Sequence, residues 1–314
     1  MSLSGPLIAI VGPTASGKSA LAEHIACELD TSVISVDAMQ VYRGMDIGTA
    51  KVPASERACP LLMVDVADIG EDYSVKLFQH DARSCVNDLL AQKKVAVLCG
   101  GTGLYLNAVI DDMRFPTGEK GDARRLAYER ELAEKGPQAL YQQLAERDPQ
   151  SAELIHPNNS RRVVRALEML DEGSSYAQHH EGLKALAPVY DTRIWAIDVD
   201  RATLYRRIDR RVDLMFEQGL VDEVARLRAL GLERSKTASQ AIGYKEVLEA
   251  LEGSLTLSEA RETIKTRTRH YAKRQLSWFG RDKRVRWIDA TDLDGAARVI
   301  VLDLLRAGQT HEEA

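Results

Sequence analysis

The octapeptide Gly12-Pro13-Thr14-Ala15-Ser16-Gly17-Lys18-Ser19 constrains the fold more than any other stretch of the chain. It fits the pattern G-x-x-x-x-G-K-[ST]. The apolar run Leu7–Val11 precedes it, and Leu21, Ile25 and Leu29 follow on one face of a predicted helix, Lys18–Leu29. In a strand–glycine loop–helix unit the backbone N–H groups curl around phosphate oxygens, and the helix N-terminus adds positive potential. Lys18 supplies a cationic donor, and the Ser19 hydroxyl is placed to ligate Mg²⁺. The motif speaks for a diphosphate or polyphosphate without saying which.

Downstream of this unit the chain keeps alternating. Val33–Val36 reads as a second strand, Leu61–Val66 as a third after Pro60, Val75–Leu90 as a helix and Val95–Cys99 as a fourth strand. Such alternation predicts a parallel, doubly wound sheet. The pattern changes near Phe115. From Asp122 to Gly173 the signals are helical, broken at Gly136-Pro137, Asp148-Pro149 and Pro157. Val189–Val199 reads as a strand returning to the sheet. Helices follow over Ala202–Gly219, Val221–Leu230 and Ser258–Phe279, then a short strand Val285–Ile288 and a helix Leu293–Leu305. The expected architecture is α/β, a P-loop NTPase-like parallel sheet core (residues 1–114 and 189–314) carrying an inserted helical domain (115–188).

Composition narrows the class. With 45% apolar and 28% charged residues among 314, a sizeable core is expected and disorder is not. The apolar run Leu7–Val11 is far too short to span a bilayer and lacks a basic lead, so the expected location is the cytoplasm, with no membrane partner. Cys27, Cys59, Cys85 and Cys99 form no CxxC pair, which argues against zinc. His156, His179, His180 and His270 make no metal spacing with them. The net charge is −5, yet between Arg261 and Trp287 ten basic residues face only Glu262 and Asp282. A basic stripe on an acidic protein suits a polyanion gripped at one face, although a solvated helix face would look the same.

Further candidates sit where strands end. Asp37 closes the second strand, on the side where parallel sheets bind ligands, and could act as a general base, hold a metal through water, or cap a helix. Gly100-Gly101-Thr102-Gly103 follows the fourth strand; three glycines imply close backbone approach to a ligand or a tight turn, and Thr102 offers a hydroxyl. Glycine thus stands where a P-loop NTPase often has a metal-organising carboxylate. Asp65 could substitute, or serve the structure. Arg207 and Arg211 are one turn apart and can converge on an anion, or pair with Asp209 and Asp213.

Taken together, Gly12–Ser19, Asp37-Ala38-Met39-Gln40-Val41-Tyr42, Asp46-Ile47-Gly48-Thr49-Ala50-Lys51, Gly100–Tyr105, Arg161–Arg165 with Ala166-Leu167-Glu168, and Ile242-Gly243-Tyr244-Lys245-Glu246 resemble the bacterial tRNA dimethylallyltransferase family, from about Ile8 to Trp278. The resemblance implies that residues Gly12 to Ser19 bind the diphosphate of dimethylallyl diphosphate with Mg²⁺ on Ser19. It makes Asp37 the base that takes a proton from an adenine amine, Thr102 a group steadying the reactants, and Arg207 and Arg211 stabilisers of the leaving diphosphate. It also implies contacts to the tRNA anticodon stem-loop from Asp37, Ala38, Met39, Gln40, Thr102, Arg125, Arg161, Arg162, Val163, Val164 and Arg165. Gln240, Ala241, Ile242, Gly243, Tyr244, Lys245, Lys273, Arg274, Gln275 and Trp278 complete that set, with the helical insertion as a clamp and a monomer expected.

The sequence departs from the family at Leu61-Leu62, where a His pair is common, and at Ala177–His180; neither adjoins the P-loop or Asp37. No cysteine follows Cys99, as befits the type without a C-terminal zinc finger. Two rival readings stay open on sequence alone: a nucleotide or nucleoside kinase, and a tRNA-binding protein without catalysis.

Overall fold

The computed structural model describes residues 4–115, 123–182, 187–235 and 237–312. In chain order its strands and α-helices are β1 (Ser4–Val11), α1 (Lys18–Glu28), β2 (Val33–Ser35), β3 (Leu61–Leu62), α2 (Val75–Ala91), β4 (Ala96–Gly100) and α3 (Gly103–Ile110). Then come α4 (Ala123–Arg147), α5 (Pro149–Leu154), α6 (Ser160–Asp171), α7 (Tyr176–Gly182), β5 (Tyr190–Asp198), α8 (Arg201–Glu217) and α9 (Leu220–Ala229). The chain closes with α10 (Tyr244–Leu251), α11 (Leu257–Phe279), β6 (Val285–Asp289) and α12 (Leu293–Glu312).

The strands form one six-stranded parallel sheet in the order β3-β2-β4-β1-β5-β6. Strand periodicity divides the core. Leu7, Ala9 and Val11 of β1, with Ala96 and Leu98 of β4, face one side, where Phe78, Val109, Val212 and Met215 pack. Ile8, Ile10 and Val97 face the other, against Leu21 and Ile25 of α1 and Ile300 and Leu304 of α12. Both faces are covered by helices, as a parallel sheet requires. The P-loop, the Asp37 turn and the Gly100–Gly103 turn follow the carboxyl ends of the neighbouring strands β1, β2 and β4, so topology gathers them at the carboxyl end of the sheet.

Helix starts carry their own signals. Ser74, Asn159 and Asp200 cap α2, α6 and α8 by accepting backbone N–H bonds, and Thr256 with Glu259 forms a capping box on α11. The expected third strand, Leu61–Val66, shrinks to Leu61–Leu62, because Met63 (φ 61°) and Asp65 (φ 56°) take left-handed conformations that no strand tolerates.

Two compact units divide the chain: residues 1–111 with 188–314, and residues 112–187. The second is entirely helical among its described residues and has its own core, built on Tyr128, Leu140, Leu144, Ile155, Val163, Val164 and Leu167. Helix α4 is interrupted at Gly136 (φ 79°), immediately before Pro137. No helix among the described residues is long and apolar enough to cross a membrane.

Candidate active site

Helix α1 opens without a side-chain cap: Gly17 precedes it in a left-handed conformation (φ 99°), and Gly12 stands at φ 144°. The first amides of α1 are therefore free to meet an anion. The loop shows the same readiness in its side chains. Ser16 is buried and its Oγ lacks a partner. The Lys18 ammonium folds back to the Pro13 carbonyl at 3.2 Å. Burial, reinforced by the nearby Arg211 charge, holds the Lys18 pKa below the ordinary lysine value, against the pull of Cys99 and Asp37.

A cavity of about 520 Å³ adjoins the loop within the sheet-containing unit. Thr14, Lys18, Ser19, Asp37 to Gln40, Thr102, Arg211, Gln240 to Ile242, Tyr244, Arg274 and Gln275 all line it. Asp37 Oδ1 accepts from the amides of Met39 (2.9 Å) and Gln40 (3.3 Å), which fixes the carboxylate on its turn. Thr102 Oγ1 accepts from the Ala38 amide at 3.3 Å, tying the Asp37 turn to the glycine turn. Arg211 donates to Thr14 Oγ1 (2.9 Å) and to the Thr49 carbonyl (3.3 Å). Burial lowers its pKa, with Asp37 acting in the opposite sense.

The choice left open for the arginines resolves through α11. Asp213 pairs with Lys265 at 2.8 Å and Asp209 with Arg269 at 3.5 Å. Among the described residues neither Arg207 nor Arg211 has a carboxylate partner. Arg207 is exposed and, among the described residues, reaches only the Ser16 carbonyl, at 3.4 Å.

Several expected roles need correction. A Cβ at Gly100 would lie 2.3 Å from the Val36 carbonyl, one at Gly101 2.1 Å from Gln275 Nε2, and one at Gly103 2.2 Å from the Trp278 ring. Those glycines admit other parts of the protein, and Gly100 also lines the cavity. Asp65 is no metal organiser: it receives the buried Lys51 ammonium at 2.6 Å, together with Asp46 at 2.8 Å. Gln275 is buried, accepting from the Thr14 amide (3.0 Å) and donating to the Gly101 carbonyl (2.9 Å), so it pins the two loops together. Val163 and Val164 lie in the core of the helical unit while Arg161 and Arg162 face outward, as the helical period demands. Arg125 is engaged by Glu129 and Glu168 at 2.9 and 3.3 Å. Tyr244 is fully buried, whereas Gln240, Lys273, Arg274 and Trp278 are exposed.

Two site residues carried no sequence signal strong enough to single them out. Tyr271 lines the cavity; burial and then the Asp37 charge push its phenol up to about 12, while hydrogen bonds with Thr102 and Gln275 oppose that. It lies one turn before Gln275 on the same face of α11, inside a stripe where only cations stood out. Glu223, on α9, organises the loop behind Thr49, and only its contacts show it.

The family model described as IPP transferase matches residues 40–282, and one described as isopentenyl transferase matches residues 5–58. The tRNA dimethylallyltransferase of Carboxydothermus hydrogenoformans is 44% identical over 290 residues, 92% of this chain and 93% of that protein. The one of Streptomyces coelicolor is 44% identical over 302 residues, covering 94% and 95%. Among solved structures, the full-length tRNA isopentenylpyrophosphate transferase of Bacillus halodurans superposes with a TM-score of 0.70 at 41% identity, covering 98% of each chain. A eukaryotic dimethylallyltransferase acting on tRNA gives 0.77 at 31% identity, covering 93% of this chain and 75% of that one. With identity at this level over more than nine-tenths of the chain, and with family models that together span residues 5–282, the chain belongs to the IPP transferase family.

Proposed function

We propose that this chain transfers the dimethylallyl group of dimethylallyl diphosphate to the N6 amine of the adenosine immediately 3′ of the anticodon in tRNA, releasing diphosphate. The observation that carries the reading is the cavity itself: a phosphate loop with Lys18, the half-buried Arg211 guanidinium, which has no carboxylate partner among the described residues, and Asp37 line the same space. In it, N6 attacks the allylic carbon and a C–N bond forms. The C–O bond to the diphosphate breaks, and the leaving group departs with the electron pair. Lys18 and Arg211, with Arg207 at the rim, neutralise the charge that develops on it. Asp37, anchored through Oδ1, takes the N6 proton as the bond forms.

The residues suit Mg²⁺ carried in with the diphosphate. Ser19 lines the cavity beside Lys18, and Mg²⁺ in such sites is held mainly by substrate phosphates, water and one or two protein oxygens. Ser19 is the oxygen at hand, and bound Mg²⁺ would supply charge neutralisation to the diphosphate.

The acceptor must leave its stack to reach Asp37, and a single-stranded anticodon loop makes that inexpensive. The exposed Gln240, Lys273, Arg274 and Trp278 of the sheet-containing unit, and Arg161 and Arg162 of the helical unit, supply the RNA contacts. The test incubates the purified protein with Mg²⁺, dimethylallyl diphosphate and unmodified tRNA, digests the RNA and weighs the nucleosides. A five-carbon gain on adenosine is expected. No gain, with ATP consumed instead when small nucleosides are offered, would overturn the reading in favour of a kinase.

A further inference from the structure

Glu223 stands outside the cavity, yet more of the loop that borders Arg211 depends on it than on any other side chain. It is 5% exposed, and its carboxylate draws in successive backbone amides: Asp46 at 3.1 Å and Ile47 at 2.9 Å on Oε2, and Gly48 at 3.2 Å on Oε1. A fourth donor, the Tyr244 hydroxyl, reaches Oε1 at 2.6 Å. Among the described residues no cation pairs with Glu223, so a buried negative charge is satisfied wholly by a ring of oriented dipoles. Burial, followed by the Glu223 charge, pushes the Tyr244 phenol above its ordinary range, so that it acts as a donor. Gly48 lies flat on that ring; a Cβ there would meet Tyr244 Cε2 at 2.4 Å.

The consequence appears one residue later. The Thr49 hydroxyl donates to the Met45 carbonyl at 2.6 Å, closing the turn, and the Thr49 carbonyl accepts from Arg211 Nη2 and from Gln40 Nε2, each at 3.3 Å. Arg211 has only one other partner among the described residues, Thr14 Oγ1. The direction of its guanidinium is thus set by two points, one on the phosphate loop and one on the turn that Glu223 builds.

We propose that Glu223, seconded by Tyr244, is a positioning residue: it holds the 46–50 turn so that the Thr49 carbonyl aims Arg211 at the diphosphate. This rests on the function proposed above. A neutral amide at Glu223 can no longer accept from both pairs of donors, because one of its two positions becomes an NH₂ group. The turn then relaxes and the guanidinium loses one of its two guides. Misplacement of a catalytic group through its support costs about 10- to 100-fold in turnover.

The experiment is a double-mutant cycle on the full chain with Glu223→Gln and Arg211→Ala, read by single-turnover prenyl transfer and by calorimetric titration with inorganic diphosphate. Tyr244→Phe serves as a milder variant that keeps the carboxylate, and thermal unfolding shows that each protein is folded. Expected are a loss of about 10- to 100-fold in the rate for Glu223→Gln, a several-fold loss in Tyr244→Phe, unchanged tRNA affinity and weaker diphosphate binding. In the Arg211→Ala background Glu223→Gln should cost almost nothing further, since the pair acts as a unit. Equal losses in both backgrounds, or diphosphate binding unaffected by Glu223→Gln in a folded protein, would overturn the proposal. The diphosphate arm needs no catalysis, so it stays informative even if the wild-type chain transfers no prenyl group.

Discussion

Replacing Arg211 by Gln separates a group held for function from one held for stability. The Arg211 side chain is half-buried, carries two hydrogen bonds and has no carboxylate partner among the described residues, and desolvation lowers its pKa. A positioned donor facing charge that develops in the transition state is worth about 2.7–4 kcal/mol, so turnover should fall by ~10² to 10³. Stability follows different arithmetic. The variant forfeits hydrogen bonds to Thr14 and Thr49 at about 0.5–1.5 kcal/mol each, but it also removes a desolvated cation close to Lys18. These effects oppose one another, and a net change within about 1 kcal/mol moves the unfolding midpoint of a chain this size by about 2–4 °C at most. The assay is single-turnover transfer at saturating donor, paired with calorimetric unfolding with and without inorganic diphosphate. The anion should raise the wild-type midpoint more than that of the variant, because it binds only the folded state. A rate loss below about tenfold, less than 1.4 kcal/mol, would refute the assignment of Arg211 to the leaving group. So would a fall in the midpoint by about 8 °C or more, which would make the arginine part of the scaffold.

Gln275→Ala should act in the opposite manner, through stability. It orphans the Thr14 amide and the Gly101 carbonyl, a loss of about 2–4 kcal/mol by urea unfolding. A second variant probes the helical unit through pH. Burial acts to raise the Asp148 pKa, but hydrogen bonds from the Ser151 hydroxyl and amide and the Ser175 hydroxyl outweigh it, so the folded value lies below 3.8. A depressed carboxylate stabilises the fold above its unfolded pKa and loses that contribution as pH falls through the folded one. Asp148→Asn should therefore destabilise the fold at neutral pH and converge with wild type below pH 3.8; a difference that persists at acid pH would contradict it.

What could be read from the sequence, and what could not, divides along physical lines. The P-loop and the strands beside it were legible because local rules govern them: glycine at fixed spacing, an apolar run before it, a 3.6-residue period after it. Leu61–Val66 is apolar enough to suggest a longer third strand, while the left-handed turns at Met63 and Asp65 that shorten it depend on tertiary contacts such as the Lys51–Asp65 pair. The glycine turn carried the right residues for a different reason, since its missing side chains make room for Val36, Gln275 and Trp278, from segments distant in the chain. Glu223 and Tyr271 were invisible. A carboxylate among other helix charges and a tyrosine among arginines acquire meaning only when the fold brings Gly48 and Thr102 beside them. The family resemblance extends to Val163 and Val164 along with the arginines around them, whereas the helix period turns these two valines into the core.

Asp37→Ala removes the carboxylate proposed to take the proton from an RNA amine at a site built for a diphosphate. Turnover is measured by the mass of digested nucleosides, alongside separate titrations of tRNA and inorganic diphosphate. The rate should fall by about 10²- to 10⁴-fold, the usual worth of a general base, with both affinities kept within a few-fold. A variant that still prenylates adenosine at the wild-type rate would contradict that role.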